Sequence, residues 1–277
     1  MPELPEVETV ARDLAEKIVG RSIAGFWTDN PAMLRGKPAA EFAYAINGAR
    51  LAAVNRRGKQ LLLNLSNGLT LVIHLKMTGQ LLVMPTGSPV QQWTHAIVEL
   101  DGGIDLRFRD IRKFGYFDLV ETERIGTTGE KMPGLGPEPL DRGFTKGVFD
   151  WSIKRHPHAK IKALLMNQSF LAGIGNIYAD EALYYAGVRP TRPAGRLTAA
   201  ERDRLYTGIR RILTDAIEKR GTTFSTFVDA SGQPGGYVSS LKVYGRTGEP
   251  CVKRGCGTVK KVKVAGRSSH YCPKCQK

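Results

Sequence analysis

Met1 is followed by Pro2 and Glu3. Methionine aminopeptidases remove a Met that precedes Pro, so the mature chain is expected to begin with a secondary amine beside a carboxyl group. An α-amino group titrates near ~7.7–8.0 where a Lys ammonium titrates near ~10.4, so an appreciable fraction of Pro2 is neutral and nucleophilic at physiological pH. A secondary amine that attacks the anomeric carbon of a deoxyribose gives an iminium directly, opens the ring and ejects the base. Glu3 stands where it can move the protons. The next residues, Pro5, Glu6 and Glu8, have a simpler explanation as a helix start, with acids at the positive end of its dipole. That explanation does not reach Pro2 and Glu3.

All four Cys lie within residues 251–275. Cys251 and Cys256 enclose four residues, Cys272 and Cys275 enclose two, and fifteen separate the pairs, a spacing that wraps one tetrahedral zinc ion. Four thiolates leave no open coordination position, so the ion would be structural and would fold a segment too short and charged to build its own core. Val262 and Val264 alternate with Lys261 and Lys263 between the pairs, as in a β-hairpin, and a basic hairpin pinned by zinc is suited to phosphates. Gly173, Gly175 and Asn176 precede a helical stretch, where backbone N–H groups and an Asn cap bind a phosphate, or where an ordinary capped helix begins. Met77 and Phe114 each sit beside a cation near a Gly turn, as wedges for a duplex do, although either residue alone also suits a core.

Elements must hold these groups. From Val7 to Ile18 the apolar residues fall at helical spacing and Gly20 stops the run, which puts one amphipathic helix directly behind the amine. Residues 22–120 read as short antiparallel strands, with turn signals at Asn47-Gly48, Asn67-Gly68 and Asp101-Gly102-Gly103. A Gly- and Pro-rich linker spans 126–143, helical periods cover 150–155, 161–168, 177–186 and 198–219, and a Gly-, Ser- and Thr-rich loop covers 221–240. The 41 Lys and Arg against 26 Asp and Glu give a formal charge of +15 over 277 residues, which implies a polyanionic partner, nucleic acid first and an anionic membrane surface second. No apolar window approaches the ~18 residues of a membrane span, so the protein is expected to be soluble and intracellular, with its Cys reduced.

In combination the chain resembles the formamidopyrimidine-DNA glycosylases along its whole length. The resemblance rests on Met1-Pro-Glu-Leu-Pro-Glu-Val-Glu-Thr-Val10, Arg56-Arg57-Gly58-Lys59, His74-Leu-Lys-Met77, Asp110-Ile-Arg112-Lys113-Phe114-Gly115, Leu135-Gly-Pro-Glu-Pro-Leu140, Gly173-Ile-Gly-Asn176-Ile-Tyr178, Val243-Tyr-Gly-Arg246 and Cys272-Pro-Lys-Cys275. It implies an α+β chain of three parts: an N-terminal antiparallel β-sandwich with flanking helices over 1–133, a helix-two-turns-helix domain with a lesion-capping loop over 134–245, and a β-hairpin zinc finger over 246–277. It also implies a monomer in the bacterial cytoplasm that excises 8-oxoguanine and formamidopyrimidines from double-stranded DNA and cuts the strand by β,δ-elimination.

By the same resemblance Pro2 is the Schiff-base nucleophile, Glu3 its acid and base, Lys59 a proton donor in β-elimination, and Arg267 a phosphate holder and the partner in δ-elimination. Met77, Arg112 and Phe114 fill the gap left by the extruded base, Arg112 pairing with the orphaned cytosine. His74, His158, Lys162 and Asn176 are expected at the DNA backbone, and the zinc ligands are Cys251, Cys256, Cys272 and Cys275. Three positions depart from the family pattern: the longer knuckle from Val252 to Gly255, Trp93-Thr94-His95 where His-x-His is common, and His158 where a Lys is common. The rivals are the sister endonuclease VIII branch, which prefers oxidised pyrimidines and usually begins Pro-Glu-Gly-Pro-Glu, and a non-catalytic reader of damaged DNA.

Overall fold

A computed structural model describes residues 1–253 and 255–277. The elements in chain order are α1 (Leu4–Ile18), β1 (Ile23–Thr28), β2 (Leu34–Arg35), α2 (Ala39–Ile46), β3 (Leu51–Arg57), β4 (Gln60–Leu65), β5 (Leu69–His74), β6 (Gly79–Pro85), β7 (Thr94–Leu100), β8 (Ile104–Asp110), β9 (Tyr116–Glu121) and α3 (Thr122–Ile125). They continue with α4 (Lys146–Lys154), α5 (Ile161–Met166), α6 (Asn176–Ala186), α7 (Ala199–Glu218), β10 (Lys260–Val264) and β11 (Arg267–Tyr271). The chain forms two compact units, Met1–Pro133 with Lys219–Val238, and Gly134–Glu218 with Ser239–Lys277.

The first unit is a sandwich. Its four-stranded sheet has the order β1-β7-β8-β6 and its five-stranded sheet the order β2-β9-β5-β4-β3. Alternation along the strands sends one set of side chains inward: Leu61, Leu63, Leu71, Ile73 and Phe117 from one sheet meet Val98, Leu106 and Phe108 from the other. Phe108 and Phe117 lie edge to face at 5.3 Å between centroids. The apolar stripe of α1, Val7, Val10, Leu14 and Ile18, closes this core, and all four are fully buried. Each such side chain contributes roughly 1.5–3 kcal/mol relative to exposure.

Two details differ from the expected strand pattern. Asn67-Gly68 and Asp101-Gly102-Gly103 do turn hairpins, but Asn47-Gly48 closes α2, a helix in a stretch read as strands, which buries Phe42 and Ile46, one turn apart, after Pro38. The sheets are also not wholly antiparallel, since the two-residue edge strand β2 runs parallel to β9.

Residues 221–238 were expected with the helical domain and instead fold with the sandwich. Phe227 and Ala230 enter its core, and Val83 donates its N–H to the Ala230 carbonyl at 3.0 Å. Arg220, at φ 61°, bridges Asp13 on α1 and Asp229, both at 2.6 Å.

In the second unit α6 is buried along almost its whole length and packs against α5, α7 and β11. It stops at Gly187, whose φ of 73° favours a residue without a Cβ. The cysteine segment is part of this unit, joined through Tyr184, Val243, Cys251, Val259 and Cys272. No helix among the described residues is long and apolar enough to cross a membrane.

Candidate active site and nucleic-acid interface

Glu3 caps α1. The Glu6 carboxylate accepts the Glu3 N–H at 2.8 Å and the Glu3 side chain reaches the N–H of Glu6 in return, a capping box that fixes the residue next to Pro2. Pro2 and Glu3 are buried, and Met1 is the exposed residue before them. Lys59 lies in the turn between β3 and β4, which α1 reaches through Arg56. That guanidinium donates to Glu8 of α1 at 2.9 Å and to the Gly58 carbonyl at 2.9 Å. Burial would push the Glu8 carboxyl up, but Arg56 and Arg12 outweigh it and hold the group below its usual range.

His74 ends β5 among cations. Its Nδ1 accepts the Lys76 N–H at 3.0 Å, so the ring proton sits on Nε2 and is available as a donor. Burial, then the charges of Lys76, Lys59 and Arg35, lowers its pKa to about 3, which keeps it a neutral donor within a positive field. Arg35 also lies over the Tyr116 ring at 3.3 Å. A neutral N–H donor beside three cations has the chemistry to receive a phosphate.

The wedge candidates share one edge of the sandwich. Phe114 is 53% exposed and the Arg112 guanidinium stacks on it, 4.6 Å from the ring centroid. Arg112 is exposed and Met77 partly so.

In the second unit the four Cys Sγ atoms all lie within 4.8 Å of one another. Tetrahedral Zn–S bonds of ~2.3 Å would place the sulfurs about 3.8 Å apart. The pairs Cys251–Cys275 at 3.7 Å and Cys256–Cys272 at 3.5 Å fit that, Cys256–Cys275 at 2.6 Å is closer, and Tyr184 bonds the Cys251 sulfur at 3.3 Å from outside. The donor set fits one structural zinc. The knuckle from Val252 to Gly255 contains Arg254 and so lies partly outside the described residues. Arg267 opens β11, exposed, beside the turn of the zinc hairpin.

Residues 1–117 match the formamidopyrimidine-DNA glycosylase N-terminal domain, 135–228 the H2TH domain of the same enzymes, and 248–277 a zinc finger found in FPG and IleRS. The chain belongs to the formamidopyrimidine-DNA glycosylase family. It is 48% identical over 278 residues to the formamidopyrimidine-DNA glycosylase of Pelotomaculum thermopropionicum, covering 100% of this chain and 99% of that one. The glycosylase of Carboxydothermus hydrogenoformans is 44% identical over 278 residues, with both chains covered in full. Among solved structures, a Lactococcus lactis FPG variant with Fapy-dG DNA superposes with a TM-score of 0.92 at 34% identity, covering 100% of both chains. A MutM complex with carbocyclic 8-oxo-G DNA gives 0.91 at 33% identity, again over 100% of both.

One expected DNA contact and one expected helix cap are placed differently here. Lys162 is fully buried and ion-paired to Asp180 at 2.7 Å, with the Ser268 carbonyl at 3.0 Å, so it faces protein where a phosphate contact was expected. Its work is to join α5, α6 and the zinc hairpin, because Asp180 also accepts from the N–H of His270 at 2.8 Å and from its ring at 3.1 Å. Asn176 is not the cap: Gly175 occupies that position, and Asn176, the first helical residue, donates to the Tyr244 hydroxyl at 3.4 Å. His158 is exposed.

The residues that fix these positions went unread in the sequence. Glu181 accepts the N–H groups of Lys242, Val243 and Tyr244, each at 2.9 Å, and burial pushes its carboxyl up despite those donors. An Asp-Glu pair inside an apolar helix of a basic chain was the available signal. Arg56 had one in the Glu8–Arg12 spacing, which marks Glu8 as an acid with partners.

Proposed function

We propose that this chain is a bifunctional DNA glycosylase and abasic-site lyase of base excision repair, removing 8-oxoguanine and formamidopyrimidines from duplex DNA as a monomer in the bacterial cytoplasm. The observation that carries the reading is the Pro2-Glu3 terminus, held by the capping box at the start of α1 in a chain that matches this family end to end. Structures similar to this chain hold DNA with Fapy-dG, 8-oxo-G or an abasic site.

In the proposed reaction the Pro2 nitrogen bonds to C1′ as the glycosidic bond breaks, and the base leaves with its electron pair. Glu3 moves a proton to the ring oxygen as the sugar opens to the iminium. The Glu3 carboxylate then takes a C2′ proton and the 3′ phosphate leaves with the C3′–O electron pair, Lys59 donating a proton to the departing oxygen. A second elimination expels the 5′ phosphate, with Arg267 as the assisting cation. His74, His158 and Asn176 are assigned to the backbone, while Met77, Arg112 and Phe114 hold the space the base vacates.

Borohydride trapping tests the core of this reading, because only an iminium is reduced to a permanent cross-link. A covalent adduct on 8-oxoguanine DNA, stronger than on duplexes carrying oxidised pyrimidines, is expected. No adduct on either would leave only a DNA-binding protein, and a reversed preference would move the chain to the endonuclease VIII branch.

A further inference from the structure

Two separate turns carry the wedge residues, and one buried carboxylate ties them together. Asp110 ends β8 and is 1% exposed. Its Oδ1 accepts from the Thr78 hydroxyl and from the N–H of Arg112 at 3.2 Å, and its Oδ2 accepts from the N–H of Gly115 at 2.7 Å. The Thr78 hydroxyl in turn accepts the Arg112 N–H at 3.2 Å. The carboxylate thus reaches the residue after Met77 and the residues on either side of Lys113-Phe114.

The backbone of both turns is of the kind that needs such support. Lys76 at φ 52° and Lys113 at φ 54° sit in the left-handed region, which costs a side-chain-bearing residue free energy and persists only where neighbours impose it. Close packing leaves no slack beside them. A Cβ on Gly79 would come 2.4 Å from the Leu75 carbonyl, and one on Gly115 would come 2.3 Å from the Phe108 ring.

We propose that Asp110 is a positioning residue for opposite-base discrimination: through Thr78 and Arg112 its carboxylate couples the Met77 turn and the Arg112–Phe114 turn into a single rigid wedge. The inference rests on the void-filling reading of Met77, Arg112 and Phe114. Three donors converging on one buried carboxylate fix where the Arg112 guanidinium starts from, and a bidentate pairing with an orphaned base tolerates little displacement. If either turn shifts alone, Arg112 still contacts DNA as a cation but no longer reads the base.

The experiment is single-turnover excision of 8-oxoguanine opposite cytosine and opposite adenine, with cleavage at a preformed abasic site as the fold control. Thr78→Val removes the hydroxyl between the turns and leaves every wedge side chain in place, Thr78→Ser restores it, and Asp110→Asn changes the hub itself. Thr78→Val and Asp110→Asn should each lower excision opposite cytosine by about tenfold, equivalent to ~1.4 kcal/mol. They should collapse the cytosine-to-adenine ratio as Arg112→Ala does, with abasic-site cleavage retained and Thr78→Ser near wild type. Loss of the ratio in Arg112→Ala but not in Thr78→Val overturns this inference alone. A ratio kept in Arg112→Ala overturns the void-filling reading and this inference with it. Parallel loss of excision and abasic-site cleavage in Thr78→Val would reduce Asp110 to fold support and equally refute it.

Discussion

Glu6 binds the N–H of Thr222 at 2.7 Å across 216 residues of sequence, while its other carboxylate oxygen holds Glu3. A capping-box acid thereby also anchors the 219–238 segment to the end of α1 that carries Pro2. Gly221 allows the close approach, since a Cβ there would lie 2.9 Å from Glu6 Oε1. Glu6→Gln keeps the shape but turns an NH2 group toward one of two N–H donors, and a buried unsatisfied donor costs about 1–3 kcal/mol. Base excision should therefore fall more than Schiff-base formation on a preformed abasic site, which has no base to cover. Single-turnover rates on the two substrates check this; equal rates to wild type on both would show that the anchor is dispensable.

Retained Met1 should abolish glycosylase and lyase activity and leave DNA binding intact, because acylation of Pro2 removes the nucleophile without touching the basic surface. Glu3→Gln should likewise bind DNA but fail to excise, since it keeps shape and loses the proton shuttle. Intact-mass spectrometry paired with activity on the same sample is the measurement. Full activity in a preparation that keeps Met1 would end the Pro2 mechanism.

Asp180→Asn should destabilise the second unit by about 3–5 kcal/mol, because it leaves the Lys162 ammonium buried without its counter-ion. Removing both charges in Lys162→Met with Asp180→Leu should cost much less than Asp180→Asn alone. Thermal melting of the zinc-loaded protein separates the cases. If all the variants melt together with wild type, the pair does not latch the hairpin.

The contrast between Pro2 and Lys162 shows what was legible in the sequence. Pro2 and Glu3 suggest a chemistry by their position, the cysteines mark a zinc site by spacing, and the strands of the sandwich show themselves by alternation and hairpin turns. Lys162 reads by resemblance as a phosphate contact, and only the fold brings Asp180 to its ammonium. Asp110 and Glu6 were hidden for the same reason, since acids at a strand end and in a first helical turn are ordinary in sequence. Their importance lies in donors that arrive from other segments. The 221–238 loop was misplaced because its partners, Asp13 and the core around Phe227, are distant in sequence.

His74 should make the fold more sensitive to acid. Its ordinary value is 6.5 and its folded value about 3, so the unfolded chain takes up a proton that the folded chain refuses. Stability contributed this way is fully present above pH 6.5 and is lost as the pH falls toward 3. His74→Asn keeps an acceptor for the Lys76 N–H and removes the titration, so its stability should decline less steeply than wild type across that window. Urea unfolding from pH 4 to 7 reads the difference directly. Parallel pH profiles would mean that His74 titrates normally in the folded protein.

Zinc removal should divide the molecule's behaviour. The cysteine cluster and Val259 give the hairpin segment its only described apolar cluster, and most of that cluster is the ligand set itself. The sandwich core draws on neither. Chelation should therefore release β10 and β11 with Arg267 and its neighbouring lysines, while near-ultraviolet signals from the N-terminal unit persist. Cations that lose fixed positions neutralise fewer phosphates at once, so DNA affinity should fall and the slope of log affinity against log salt should become shallower. Metal analysis should return one zinc per chain before chelation. A chain that binds no zinc, or one that keeps the same salt slope after losing it, would separate the hairpin from the metal and leave Arg267 held by the Lys162–Asp180–His270 network alone.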